Sequence, residues 1–131
     1  MVRTAQEGWE SAETLLKEVT GGDDTLLDGK MIFDAAVRGD AYARWVFDET
    51  ATWIGLGAAS MVNALNPEKI VLCGGMIAAG DMLFDTVRKV MRANTFEVPG
   101  KRCEILPAGL GADSGVIGCA GCALARYQQE H

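Results

Sequence analysis

The residues best suited to meet a ligand lie together in Asn63-Ala-Leu-Asn66-Pro67-Glu-Lys-Ile70-Val-Leu-Cys73-Gly74-Gly75-Met76. Lys69 to Cys73 is a short, largely apolar run bounded by Pro67 and Gly74, the pattern of a strand buried on both faces. A strand that empties into Gly-Gly and then a helix is where an open α/β sheet builds ligand sites, at strand carboxyl ends. Glycine tolerates positive φ, and without a Cβ it lets a ligand lie against the backbone. A helix start nearby offers free N–H groups to an anion or a purine edge. The pattern is not G-x-G-x-x-G, because the second glycine directly follows the first, and no G-x-x-x-x-G-K-[ST] loop occurs. On these residues alone, a tight turn and a ligand contact both remain open.

Other reactive residue types carry less. The four cysteines are Cys73, Cys103, Cys119 and Cys122. Cys119-Ala-Gly-Cys122 is formally a C-x-x-C, but zinc wants a second pair or histidines, and the only histidine is His131. A redox pair wants its first cysteine at the start of a helix that follows a strand. This pair sits among Gly, Ala and Ile inside a predicted helix, so both are expected as small buried core residues. Asp113, just before Ser114-Gly115, is expected as a helix N-cap rather than a catalytic carboxylate. Glu49 reads as a partly exposed end of an apolar stripe. Gly21-Gly22 precede two carboxylates and follow no strand, so they are a helix stop and a turn. No residue is assigned a catalytic role, and none a metal.

The elements that position the Gly74-Gly75 turn follow from periodicity. Spacings of three and four predict a helix from Thr4 to Val19, with Trp9, Ala12, Leu15, Leu16 and Val19 inward. A short helix from Met31 to Arg38 turns Ile32, Ala35 and Ala36 inward; Gly39 stops it, and Asp40 is placed to cap the next. The longest segment runs from Ala41 to Leu65, with Tyr42, Trp45, Val46, Glu49, Trp53, Gly57, Met61 and Leu65 on its stripe and Ile54, Ala58 and Val62 broadening it. Gly55, Gly57, Ala58, Ala59 and Ser60 thin that helix. Glycine there costs about 1 kcal/mol relative to alanine, and close approach of another backbone is the expected offset. Asn66-Pro67 ends it. A helix from about Ala78 to Asn94 follows the glycines, with Leu83, Val87, Val90 and Met91 inward; then come a turn at Pro99-Gly100, a strand from Arg102 to Pro107 and a flexible connection at Gly109 to Ala112. The closing helix, Ser114 to about Tyr127, has one apolar face (Val116, Ile117, Ala120, Leu124) and a nearly bald one (Gly111, Gly115, Cys119, Ala123). Two short strands are too few for the sheet that so many helices would cover, so the chain reads as part of a larger α/β fold.

Composition bounds the partners. The 131 residues are 49% hydrophobic and 23% charged, which supports a real core and argues against disorder. Glycine is enriched, 16 residues or about 12% against a usual ~7%. The net charge of −6 lies wholly in residues 1–66, with 11 acidic and 5 basic side chains, while the remainder carries 7 of each. An acidic solvated helical surface accounts for the first half, and the balance argues against nucleic-acid contact by these residues. No apolar run approaches the roughly 20 residues that span a bilayer, and Met1-Val2-Arg3-Thr4 leads into no signal-peptide core. A reducing, cytoplasmic setting without membrane contact is therefore expected.

The block from Ala58 to Ala79, with its N-x-L-N-P, strand and G-G-x, resembles the ROK family (repressor, open reading frame, kinase) of sugar kinases and repressors. Ile105-Leu106-Pro107-Ala108-Gly-Leu110-Gly111-Ala112-Asp113-Ser114-Gly115-Val116-Ile117-Gly118 is similar to that family's strand, D-x-G-x-x-G turn and closing helix. Met31 to Phe47 also resembles the family's "helix, G-D, helix" stretch, so nearly the whole chain is covered. The resemblance implies an actin-like ATPase (ribonuclease H-like) fold of two α/β lobes, of which residues 1–131 would form the C-terminal part of one, mostly helical with two or three short strands. It implies that Gly74 and Gly75 match the adenosine motif, with Met76 and Ile77 as apolar contacts. It further implies ATP with Mg²⁺ and a hexose as the whole protein's ligands, and association into dimers through this lobe.

The family's D-x-G-G-T phosphate loop, its N-D-A-N sugar segment, its G-T-G-x-G loop and its C-x-C-G-x-x-G-C zinc motif with an upstream histidine do not occur in these residues. The resemblance places all of them ahead of Met1, so the expectation is the C-terminal portion of a glucokinase-like enzyme, less than half of a family member. An aspartate of the whole enzyme would be general base on a sugar hydroxyl attacking the γ-phosphate. The chain alone is expected to be inactive and zinc-free. The alternatives are the body of a sugar-responsive repressor, whose DNA-binding module would lie N-terminal, and a stand-alone oligomeric scaffold without catalysis.

Overall fold

A computed structural model describes residues 1–130, and helix starts organise its first half. Helix α1 (Val2–Glu7) ends at Gly8, and α2 (Leu15–Val19) begins only after an irregular turn. The single helix expected from Thr4 to Val19 is thus two. Its break has a physical cause at each end. The Tyr42 hydroxyl donates to the Ala5 carbonyl oxygen at 2.7 Å, and its ring lies so close to Gly8 that a Cβ there would collide with it. Downstream, Thr14 caps α2 while Asp40 Oδ2 accepts from Thr14 Oγ1 at 2.9 Å and from the Leu15 amide at 2.5 Å. Of the residues expected inward, Leu16 is fully buried and Val19 is exposed.

Helix α3 (Gly29–Val37) starts on Asp28, whose carboxylate accepts from the Met31 amide, and buries Ile32, Ala35 and Ala36 as expected. Gly39, at φ +92°, turns the chain, and Asp40 caps α4 (Ala41–Leu65) by accepting from the Ala43 amide at 2.7 Å. That helix ends on Asn66 in the left-handed conformation, φ +48°.

Strand β1 (Lys69–Leu72) leads into a 3-10 turn (Gly75–Ala79), α5 (Asp81–Ala93), α6 (Glu97–Arg102) and β2 (Glu104–Pro107). The two strands pair in parallel, with Ile70 opposite Ile105 and Val71 opposite Leu106. Pro99-Gly100 is therefore not a turn between elements but the interior of α6. Pro99 falls in the first turn, where a missing N–H costs no helical bond, and Gly100 is buried where a Cβ would collide with Thr95. A 3-10 turn (Gly111–Asp113) then delivers the chain into α7 (Ser114–Glu130), with Asp113 immediately before it.

Two cores share α4. Ala5, Leu16, Leu27, Ile32, Ala35 and Ala36 meet Ala43 and Val46 at its N-terminal end. Phe47, Ala51, Ala58, Ala59 and Val62 meet Leu83, Phe84, Val87 and Met91 of α5, with Cys103 and Ile105 behind them. The buried face of α4 is its small-residue face. A Cβ at Gly55 would stand 2.7 Å from Val90 Cβ, so Gly55 is the glycine that admits α5, whereas Gly57 faces open space. The stripe expected from bulk is correspondingly displaced: Val46, Ala58 and Val62 are inward, but Trp45, Trp53, Met61 and Leu65 are exposed.

Two further expectations are corrected. Strand β1 is covered on one face only: Ile70 and Leu72 are half-buried, while Val71 is 57% exposed. In a two-stranded sheet, α4 and α5 supply cover from one side alone. Helix α7 packs against little besides the turn that precedes it, leaving Val116, Ile117 and Leu124 exposed. Cys119 and Cys122 are exposed with it, not core residues; Cys103 is the buried thiol.

Candidate functional site

The Gly74-Gly75 turn stands at the carboxyl end of β1 and closes one side of a cleft of about 500 Å³. Gly74 holds φ +101°, a conformation that L side chains rarely adopt, and so bends the chain off the strand. The 3-10 turn is pinned by Ile77 N–H donating to Gly74 O at 3.3 Å and Gly80 N–H donating to Ile77 O at 3.1 Å. Gly80, at φ +54°, then starts α5, its carbonyl oxygen accepting from the Leu83 and Phe84 amides. Met76, Ile77 and Ala79 anchor the turn by packing on the core beneath.

Of the four residues predicted to meet a ligand, Gly75 and Met76 line the cleft. Gly74 shapes the turn, and Ile77 faces the core instead of the opening. A Cβ built on Gly75 meets nothing within 4 Å, and its φ is not positive, so its missing side chain is space given to the cleft.

The opposite wall comes from α3. Lys30, Phe33 and Asp34 fall on one face at spacings of three and four, beside Gly29, and Phe47 of α4 closes the cleft with Met1. Phe33 and Phe47 rings are 6.0 Å apart between centroids, tilted by 46°, so the two lining rings pack on each other, with Phe47 buried. Lys30 Nζ donates to Asp34 Oδ2 at 2.6 Å. That hydrogen bond, and then the carboxylate's charge, raise the lysine pKa above its ordinary value. The lining is otherwise apolar: an aromatic and methionine-rich slot with one charged pair at its margin. Periodicity had shown which face of α3 was inward and so passed over Lys30, Phe33 and Asp34; the charged residues flanking a phenylalanine on its neighbouring face were the available signal.

Among the described residues, no group of three or more His, Cys, Asp or Glu stands together as a metal site would require. No helix among them is long and apolar enough to cross a membrane.

The ROK family model matches residues 6–126. The chain is 41% identical over 93 residues to a glucokinase of Halalkalibacterium halodurans, a match covering 71% of this chain and 28% of that protein. Among solved structures, a ROK family glucokinase from Streptomyces griseus in complex with glucose and AMPPNP superposes with a TM-score of 0.73 at 27% identity, over 92% of this chain and 38% of that one. A ROK family transcriptional regulator, a homologue of the E. coli MLC protein, superposes with a TM-score of 0.64 at 22% identity, over 81% of this chain and 26% of that one, a likeness of fold. The chain spans less than two fifths of the length of each.

Proposed function

The chain belongs to the ROK family, and from that premise we propose that residues 1–131 are the C-terminal part of a glucokinase-like sugar kinase lobe and supply the adenosine side of its ATP site. The fold supports this reading: a mostly helical α/β arrangement with two short parallel strands, like the actin-like ATPase lobes of the sugar kinases it superposes on. The observation that carries it is the cleft at the glycine turn, apolar, open at Gly75 and walled by Phe33 and Met76. A purine needs such a slot: two faces of low polarity and a backbone close enough to touch. The 41% identity to a glucokinase favours a kinase over a repressor, the repressor likenesses being 23% and 22% identical.

In the whole enzyme ATP would meet a hexose between two lobes, and catalysis would rest on positioning and on Mg²⁺ neutralising phosphate charge. This chain's residues hold the base end. Gly74 fixes the bend, Gly75 admits the ring, and Met76 covers it, while no residue of the chain is assigned to proton transfer or to the metal. Association of copies belongs to the same reading, since α4 turns Trp53, Met61 and Leu65 outward.

Gly75→Val tests the proposal cleanly. The Cβ of the added side chain meets nothing within 4 Å, so thermal unfolding should stay close to the parent's, while the cleft is partly filled. Titration of the 131-residue chain with ATP, followed by amide shifts in two-dimensional NMR, should show binding at residues 74–79 that the variant loses by about tenfold or more, the cost of crowding a fitted site by roughly 1.4 kcal/mol. Equal binding by both proteins, or none by the parent, would count against it.

A further inference from the structure

Resting on that reading of the cleft, we infer that Phe33 is the second wall of the base slot and sets its fit by face contact. The nucleobase lies between the Phe33 ring and the Gly75-Met76 backbone, with the Lys30–Asp34 pair toward the sugar end. Three observations converge on this ring. It lines the cleft across from the glycine turn, where Gly75 leaves room for a planar group. It packs on Phe47, itself 1% exposed, with the ring centroids 6.0 Å apart, so the platform exists before a ligand arrives. Among the described residues, the charged side chains lining the cleft are Lys30 and Asp34, which flank Phe33 on the same helix face and are exposed.

A ligand that satisfies all three has an aromatic face and a hydroxylated or anionic tail, which is a nucleoside or nucleotide. Because the slot's side chains present ring faces and methyl groups rather than donors and acceptors, stacking decides affinity for the base.

The test compares the parent chain with Phe33→Leu and Phe33→Trp, each titrated with adenosine, ATP and inorganic tripolyphosphate by NMR. Leucine keeps the apolar volume over Phe47 but has no ring face; tryptophan keeps the face. Phe33→Leu should weaken adenosine and ATP alike by about tenfold, the order expected when one base–aromatic contact is lost. Phe33→Trp should stay within about threefold of the parent, and tripolyphosphate should not distinguish the three proteins. Should Phe33→Leu bind adenosine as the parent does, with matching circular dichroism, the inference is overturned while the role of the glycine turn stands. Should Phe33→Leu lose its fold, the Phe33→Trp arm decides, because loss of adenosine binding in that folded variant also overturns it. Failure of the parent to bind adenosine or ATP overturns both readings together.

Discussion

Asp40 does the work of two caps. Its Oδ1 accepts from Ala43 at the start of α4, and its Oδ2 accepts from Thr14 and Leu15 at the start of α2, which ties elements 25 residues apart to one carboxylate. The first role was legible in the Gly39-Asp40 pair ahead of a long apolar period. The second was not, because no local pattern reports a partner so distant in sequence. Burial opposes ionisation here, but the donations from Ala43, Leu15, Thr14 and the Tyr42 amide outweigh it and hold the carboxyl below its ordinary value of 3.8. A depressed folded pKa stabilises the fold above the unfolded value, and that contribution is lost as pH falls through the folded one. Asp40→Ala removes both caps and strands the donors of Ala43, Thr14 and Leu15, so it should cost about 2–3 kcal/mol and lower Tm by roughly 10 °C. Asp40→Asn should recover part of the loss near neutrality and flatten the acid limb of the stability curve. Unchanged denaturation midpoints in both variants would show that the twin cap contributes nothing.

Elements were most legible where one chemical rule acted alone. The bounds of α4 follow from Asp40 and Asn66, and the parallel strands from two short apolar runs around a helical crossover. Side-chain bulk is a poor sign of burial where a backbone approaches closely or a face stays exposed. On α4 the small face is inward because α5 approaches at Gly55, and on α7 the apolar residues Val116, Ile117 and Leu124 are exposed. The thiols report this difference. Cys73, Cys119 and Cys122 are exposed, while Cys103 is 3% exposed. Burial, and then the charge of Glu104, push the Cys103 thiol pKa up, which lowers its reactive thiolate fraction further. Brief treatment of the native chain with an alkylating reagent should therefore label three thiols and spare Cys103, with peptide mass spectrometry as the readout. Protection of Cys119 and Cys122 at low protein concentration would mean that α7 folds back onto the body of the chain.

At the scale of the molecule, the cleft and the exposed apolar surfaces follow different logics. The cleft depends on α3, α4 and the glycine turn, all anchored in the two cores; the turn was legible as Gly-Gly at the end of an apolar run, where Gly74 takes φ +101° and Gly75 lines the cleft. The outer surface is governed by charge. A net charge of −6 opposes association, yet residues 51–67 contain no charged side chain, and their outer face carries Trp53, Met61 and Leu65. Two copies meeting there would cover apolar area worth about 25 cal/mol per Å², opposed by repulsion between their acidic halves. Salt screens that repulsion, with a Debye length near 10 Å at about 0.1 M, and leaves the apolar term in place. Sedimentation velocity should therefore find association that strengthens with protein concentration and, at fixed concentration, with added sodium chloride. Trp53→Glu places a charge at the N-terminal end of the face, one turn from Glu49, without touching either core, and should return the chain to monomer under the same conditions. A monomer at every concentration and salt level would remove α4 from consideration as a contact between copies, and association that Trp53→Glu leaves unchanged would move the contact to β1 or α7.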